Sequence, residues 1–217
     1  MSMTTKTGTG GSIPKGRATL WWIIAGVVGL ALVVLLAISI AGETPIDEAS
    51  GYGDPMVQGD SLPVLTPGSQ DTAIGLTAPI TFGSDWNNNE VNIEADGTSK
   101  IIVFLAHWCP HCQADAPRLQ AWVNGGNLPS EVELISVATL TDPAHPNWPP
   151  QDWLTSIGWT PPVIMDDANN SVASAYGLAR TPLWVVLDGN NQVLGRIYGE
   201  IRDDGFNALV ELAESAP

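Results

Sequence analysis

KIIVFLAHWCPHC, residues 100–112, joins a continuous apolar run to two cysteines that are separated by two residues. The run at residues 101–106 is β-prone and apolar throughout, which is typical of a strand covered on both faces of a sheet. Residues 113–123 have helical composition, and Gly125-Gly126 would end that helix. We therefore expect Cys109 to lie where a central strand passes into a helix.

The chain around this stretch alternates between predicted strands and helices. The predicted elements are strands at residues 101–106, 132–138 and 163–165 alternating with helices at 113–123, 151–157 and 171–176, then a strand hairpin at 183–198 and a closing helix at 203–215. A further hairpin is predicted before them, within residues 74–93. With right-handed crossovers, this order gives an α/β fold in which a mixed sheet is covered by helices on both faces.

Cys109 and Cys112 have the spacing and position that thiol-disulfide exchange requires. The reacting species is a thiolate, and the free N–H groups and partial positive charge at a helix N-terminus stabilise an anion. Pro110 suits the first helical position because its missing N–H would have no partner there. His111, when protonated, would stabilise the thiolate further. We expect Cys109 to attack a substrate disulfide and the deeper Cys112 to resolve the mixed disulfide, with Trp108 beside the pair.

The charge of the chain argues against a nucleic-acid role. Residues 43–217 contain 23 acidic and five basic side chains, a net charge of −18. Such a surface repels phosphate groups, and the sequence contains no concentrated basic patch. We interpret the acidity as a solvated surface, with a specific cationic partner as the alternative. Because the chain has two cysteines in all, no disulfide joins distant parts of the fold.

Residues 20–41 form an apolar segment of the length that crosses a bilayer. No charged residue lies between Arg17 and Glu43, and a helix of about 20 residues spans the roughly 30 Å of hydrocarbon. Basic residues precede the segment and acidic residues follow it, which favours a cytoplasmic N-terminus. Ser39-Ile40-Ala41 also resembles a signal-peptidase site, but the apolar run exceeds the roughly 7 to 15 residues of a signal peptide. We therefore predict a transmembrane anchor.

Four segments are predicted along the chain. They are a disordered cytoplasmic tail at residues 1–19, a transmembrane helix at 20–41, an extracytoplasmic tether at 42–73 and the α/β domain at 74–217. The tail is rich in Gly, Ser and Thr, and the tether repeats Gly, Pro and Asp, compositions typical of unpacked chain. The predicted protein is a single-pass protein of the cell membrane whose α/β domain lies outside the cytoplasm.

A set of residues in and beyond the cysteine pair forms a recognisable pattern. The set is Trp108-Cys109-Pro110-His111-Cys112, then Asp115, Pro117 and Leu119, and finally Tyr176-Gly177 and Arg180-Thr181-Pro182. In this pattern the chain resembles the thioredoxin superfamily and, within it, the membrane-anchored TlpA-like thiol-disulfide oxidoreductases. Members share W-C-x-x-C-x-x-[D/E]-x-P-x-L, with a helix kink at the position of Pro117. The resemblance covers about residues 74–215 and implies a thioredoxin-like fold.

The resemblance implies further features of the site. It implies a cis peptide at Thr181-Pro182 that faces the cysteines and offers backbone atoms to an extended substrate segment. A cis bond before proline costs only about 0.5 to 1 kcal/mol, and an ordinary trans proline that opens the next strand is the alternative. Members often carry a buried acid six residues before the first cysteine, where this chain has Val103. The group that deprotonates Cys112 is therefore not identified by the sequence.

The direction of electron transfer stays open between two interpretations. Pro110-His111 resembles the dipeptide of DsbA-type oxidases, which differ from thioredoxins by about 150 mV. The TlpA-like pattern instead implies reduction of exported partners, as in cytochrome c biogenesis. We favour an oxidant because the dipeptide acts directly on thiolate stability.

Two other classes of function are compatible with a cysteine pair. One is a copper- or zinc-binding module or metallochaperone that uses the pair with a histidine, and the other is a structural docking module. A closed zinc site requires four ligands, and helix geometry opposes convergence of His107 and His111 on both thiols. We interpret His107 and His145 as ordinary polar residues. We therefore expect no metal or cofactor, cysteine-containing exported proteins as substrates, and a membrane redox partner.

Overall fold

The computed structural model describes residues 51–66 and 68–215. The predicted tail at residues 1–19, the predicted transmembrane helix at 20–41 and the start of the predicted tether lie outside these residues. Within the described ranges, none of the helices is both long enough and apolar enough to cross a bilayer.

The described chain contains eight strands and four helices. In order they are β1 (Met56–Gln58), β2 (Ile80–Ser84), β3 (Glu90–Ile93), β4 (Ser99–Leu105), α1 (Pro110–Asn124), β5 (Val132–Ala138), α2 (Pro150–Ser156), β6 (Val163–Met165), α3 (Ser171–Ala175), β7 (Leu183–Leu187), β8 (Val193–Tyr198) and α4 (Asp203–Glu214). The elements that follow the cysteine pair agree with the sequence prediction to within a few residues at their ends.

A five-stranded mixed sheet forms the centre of the domain, in the order β6-β5-β4-β7-β8. β4 pairs in parallel with β5, and β5 with β6, through crossovers that contain α1 and α2. β7 is antiparallel to both β4 and β8. A separate antiparallel sheet contains β1, β2 and β3, of which β2 and β3 form the predicted N-terminal hairpin. The predicted α/β class and mixed sheet are confirmed.

β4 is buried on both faces, as its continuous apolar sequence predicts. Ile101, Val103 and Leu105 pack into one core cluster with side chains of α1 and α4. Ile102 and Phe104, which alternate with them, pack into a second cluster that includes side chains of α3 and β3. All five are at most 3% exposed, and each buried side chain of this size contributes roughly 1.5 to 3 kcal/mol to stability. β4 is thus a rigid base for the residues that follow it.

The interpretation of residues 42–73 as a tether is wrong for the part that the structure describes. Leu62, Leu65 and Ala73 are at most 8% exposed and belong to the second core cluster. The N–H of Leu62 donates to the carbonyl of Ala175 at 2.8 Å, and the N–H of Leu65 donates to that of Gly177 at 3.1 Å. Residues 51–66 and 68–73 are therefore part of the folded domain.

Gly177 makes this packing possible while it ends α3. Its φ of +70° is in the left-handed region, where a residue without Cβ is favoured at the end of a helix. A Cβ at this position would also collide with the carbonyl of Pro63. The same glycine therefore stops the helix and admits the segment that was expected to be a tether.

Candidate active site

Cys109 lies at the start of α1, directly after the strand that supports it. Its φ and ψ of −72° and 121° are extended, as in a residue that precedes the first helical turn. Its N–H donates to the carbonyl of Ala106 at 3.0 Å, and its carbonyl accepts the N–H of Gln113 at 3.0 Å. Pro110 occupies the first helical position. The strand-to-helix junction predicted at Cys109 is confirmed.

The two cysteines are free thiols with unequal access to solvent. Cys109 keeps 5% of its surface exposed, whereas Cys112 is fully buried at 0%. Burial, together with the neighbouring Cys109 thiol, raises the pKa of Cys112 far above its ordinary value, although hydrogen bonds with the Ala106 backbone and the Thr181 side chain oppose the shift. The Cys112 thiol is therefore protonated near neutral pH in this form, and Cys109 is the less buried of the two cysteines.

The backbone before β7 lies against the Cys109 sulfur. The Thr181–Pro182 peptide is cis, as the resemblance implied. The Sγ of Cys109 donates to the carbonyl of Thr181 at 3.5 Å. The N–H of Gly199 donates to the carbonyl of Pro182 at 2.9 Å and fixes this loop to the chain after β8. The structure thus brings Cys109, Cys112, Thr181 and Pro182 together.

Trp108 packs against the core cluster that contains both cysteines and also contacts Leu140 and His145. Its indole N–H donates to the carbonyl of Leu140 at 2.7 Å. Its ring lies 5.1 Å, centroid to centroid, from that of His145, whose Nδ1 is 2.9 Å from a carboxylate oxygen of Asp142. Trp108 is half-buried. Because it directly precedes Cys109, these contacts join the start of the cysteine motif to Leu140 and His145.

His107 is a satisfied buried residue, in agreement with its interpretation from the sequence. Its Nδ1 lies 2.7 Å from the carbonyl of Pro146, and its Nε2 lies 3.2 Å from the backbone nitrogen of Asp142. This arrangement fits a neutral ring that donates from Nδ1 and accepts at Nε2. Burial lowers the pKa of His107, although the Pro146 carbonyl opposes that effect. A neutral, fully bonded imidazole holds the loop and has no free atom for catalysis.

His111 is exposed, and its hydrogen bond goes to a residue that the sequence analysis did not single out. Its Nδ1 is 3.2 Å from Oε2 of Glu200, in the segment between β8 and α4. The other carboxylate oxygen, Oε1, accepts from the Arg118 guanidinium at 2.5 Å. The hydrogen bond of His111 is therefore with a carboxylate 89 positions away in sequence.

Asp115 is a buried carboxyl group on α1 that the sequence analysis used only as a motif residue. Its side chain is 0% exposed, and burial raises its pKa to about 6 against the opposing effects of the Ile201 N–H and Arg118. The Ile201 N–H donates to Oδ2 at 3.1 Å and Arg118 to Oδ1 at 3.0 Å. Val103, where related proteins often carry an acid, is an apolar core residue here. In the sequence, the feature that could have identified Asp115 as a site residue is that it is the one acidic residue of α1.

The alternative of metal binding finds no support in the described part of the chain. Within residues 51–66 and 68–215, there is no group of three or more His, Cys, Asp or Glu side chains that could hold a metal ion.

Several known proteins are similar to this chain. The thiol:disulfide interchange protein HelX of Rhodobacter capsulatus is 25% identical over 152 residues, which cover 70% of this chain and 79% of HelX. The crystal structure of StoA from Bacillus subtilis aligns with a TM-score of 0.53 at 17% identity and covers 62% of this chain and 98% of StoA. A thiol:disulfide interchange protein of the thioredoxin family from Chlorobium tepidum aligns with a TM-score of 0.52 at 21% identity, over 63% and 94% of the two chains. These structures show that the fold is thioredoxin-like.

A match to a protein family includes the whole of the site. The Redoxin family model matches residues 58–210, a range that contains both cysteines and the cis proline. Together with the similarity to HelX, this match confirms the enzyme class predicted from the sequence, a thiol-disulfide oxidoreductase. Because the matched range is more than half of the chain, the protein belongs to the Redoxin family.

Proposed function

We propose that the protein exchanges disulfides with exported proteins through a mixed disulfide on Cys109 that Cys112 resolves. The observation that carries this proposal is the unequal access of the two sulfurs: Cys109 retains some exposure at a helix start, and Cys112 is fully buried behind it. A protein substrate reaches the first sulfur and is shielded from the second. The name of HelX, a thiol:disulfide interchange protein, supports the same reaction.

Bonds, electrons and protons are conserved in the exchange, whichever direction it takes. When the protein acts as a reductant, the Cys109 thiolate attacks a substrate disulfide, forms a new S–S bond and releases one substrate thiolate. The Cys112 thiolate then attacks the Cys109 sulfur, forms the Cys109–Cys112 disulfide and releases the second substrate thiolate. Two electrons and two protons pass to the substrate, and the oxidising direction is the reverse.

The Thr181 and Pro182 backbone is the proposed binding element for the substrate. The Thr181 carbonyl already lies within 3.5 Å of the attacking sulfur. An extended substrate segment that pairs with this backbone would bring its own cysteine to Cys109. The substrate class is therefore a protein with a cysteine in an extended, accessible segment.

Asp115 is the proposed acceptor for the proton of Cys112. It follows Cys112 by three residues on α1, a separation at which helix side chains are neighbours. With its pKa raised to about 6 by burial, it is mostly ionised at neutral pH and has a higher proton affinity than an ordinary carboxylate. This group would take the place of the acid that is absent at Val103.

We further propose that the protein is anchored by residues 20–41, with a cytoplasmic N-terminus and the folded domain outside the cytoplasm. The length and the flanking charges of that segment support this arrangement. The expected source or acceptor of electrons is then a second thiol-disulfide protein of the same membrane.

Replacing Cys112 with serine is expected to trap substrates on Cys109. Without the resolving thiol the mixed disulfide persists, so the variant should accumulate higher-mass species that a reducing agent dissolves. These species are measured by non-reducing electrophoresis and identified by mass spectrometry. The double variant C109S/C112S is the control and should capture nothing. Equal capture by the double variant would contradict the assignment of Cys109 as the attacking residue.

Replacing His111 with alanine is expected to lower the reduction potential of the cysteine pair. The imidazolium stabilises the Cys109 thiolate, so its loss makes the dithiol form less favourable. The measurement is the equilibrium of the pair with reduced and oxidised glutathione at several ratios. H145A is a matched control, because His145 contacts Asp142 and Trp108 instead of the thiols. A potential that stays the same or rises in H111A would exclude this role.

A further inference from the structure

We propose that Glu200 is a positioning residue that binds the His111 imidazole and thereby limits the oxidising strength of the Cys109–Cys112 pair. This inference rests on the proposed exchange at Cys109 and concerns how strongly the site favours its dithiol form.

The backbone on either side of Glu200 is fixed to the active site. The N–H of Gly199 donates to the carbonyl of Pro182 at 2.9 Å, so the preceding residue is bonded to the cis-proline loop. The N–H of Ile201 donates to the buried carboxylate of Asp115 on α1 at 3.1 Å. Gly199 also has a φ of +93°, which a residue without Cβ adopts readily. Glu200 is thus held between the two elements that carry the reacting groups.

The Glu200 side chain bridges the side chains of His111 and Arg118 on α1. Oε2 lies 3.2 Å from Nδ1 of His111, and Oε1 accepts from Arg118 at 2.5 Å. Arg118 also donates to Asp115 at 3.0 Å, so its guanidinium joins the two carboxylates. The hydrogen bonds from Arg118 and His111 hold the pKa of Glu200 below its usual range. Glu200 is therefore ionised near neutral pH.

An ionised Glu200 reduces the effect of His111 on Cys109 in two ways. It holds Nδ1 by a hydrogen bond, so the imidazole is oriented toward the carboxylate. It also places a negative charge beside the imidazolium, which weakens the field that a thiolate at the helix start would experience. A less stabilised thiolate makes the dithiol form less favourable, and the disulfide becomes a weaker oxidant.

The Pro110-His111 dipeptide therefore does not set the reduction potential of the cysteine pair alone. Pro110-His111 on its own indicates an oxidase, because a free imidazolium would lower the free energy of the Cys109 thiolate. In this chain the imidazole is already paired with a carboxylate from outside the motif. The reduction potential of the cysteine pair is therefore determined by Glu200 as well as by Pro110 and His111.

The test is the equilibrium of the full-length protein with glutathione, in which one protein disulfide and two reduced glutathione molecules give one protein dithiol and one oxidised glutathione. E200Q is expected to shift this equilibrium about three- to tenfold toward the dithiol, the range for loss of one nearby, partly solvated charge. The thiolate absorbance of Cys109 should appear at lower pH in the same variant. E211Q, which removes an exposed carboxylate from α4, is the matched control and should change neither quantity.

A double-variant cycle shows whether Glu200 acts through His111. In an H111A background, E200Q is expected to shift the equilibrium by less than half of its effect in the wild type. A shift toward the disulfide, no shift, or an equal shift in both backgrounds would overturn the proposal. E200A provides a second variant, since the Glu200 side chain is 36% exposed and is not part of the core. If the wild-type protein itself fails to exchange with glutathione and with a protein disulfide, the proposed function fails instead.

Discussion

Replacement of Cys109 with serine is expected to reduce the rate of protein disulfide exchange by about 10³-fold or more, as for removal of a nucleophile that forms the covalent intermediate. A serine hydroxyl is not ionised near neutral pH and cannot form a disulfide with the substrate. Cys112 cannot substitute, because it is 0% exposed and burial raises its pKa far above its ordinary value. The measurement is the rate of reduction or oxidation of a model protein disulfide.

C112S is the informative control for this experiment. It retains the accessible sulfur, so the first half of the exchange should proceed at a rate within about tenfold of the wild type, and the mixed disulfide should then persist. A C109S variant that exchanges at the wild-type rate would show that the attacking sulfur has been assigned to the wrong residue. A C112S variant that never forms the mixed disulfide would show that both sulfurs are needed for the first step.

The parts of the fold that were predicted correctly are those whose signals are local in the sequence. β4 is a continuous apolar run, and a run of that kind is stable only between two covered faces. Cys109 directly precedes Pro110, which occupies the first helical position, so its place at a helix start needed no long-range information. The cis peptide at Thr181–Pro182 came from the resemblance instead, since a proline alone allows either isomer.

The parts that were missed depend on pairs of residues far apart in the chain. His111 and Glu200 are separated by 89 positions, and no periodicity relates them. The described part of the predicted tether, residues 51–66 and 68–73, was misinterpreted because its Gly, Pro and Asp content is shared by flexible linkers and by irregular chain that packs. Its apolar anchors, Leu62 and Leu65, are isolated side chains rather than a periodic face.

Asp71 connects that segment to β8, and its replacement with alanine is expected to destabilise the protein by about 3 to 5 kcal/mol. The Asp71 side chain is 8% exposed and that of Arg196, on β8, is 0% exposed. Two hydrogen bonds join them, at 3.0 Å and 2.6 Å, and Arg196 also donates to the carbonyl of Tyr176 at 2.8 Å. D71A would leave a buried guanidinium without its carboxylate. Urea unfolding of both proteins gives the difference in free energy.

The pH dependence of this difference follows from the pKa of Asp71. Burial raises that pKa, but the hydrogen bonds from Arg196 and the Ala73 N–H outweigh burial and hold the pKa below its ordinary value. A carboxyl group whose pKa is lower in the folded state stabilises the fold above the unfolded value, and this contribution is lost as the pH falls through the folded value. The stability difference between wild type and D71A should therefore be greatest near neutral pH and should be lost as the pH falls through the lowered pKa of Asp71. D60A, which removes an exposed acid from the same segment, is the control and should change stability by less than about 0.5 kcal/mol.

The double variant D71A/R196M should recover much of the stability that D71A loses, because it removes the unpaired charge. Equal stability of D71A and the wild type at neutral pH would mean that this ion pair does not hold residues 68–73 to the domain.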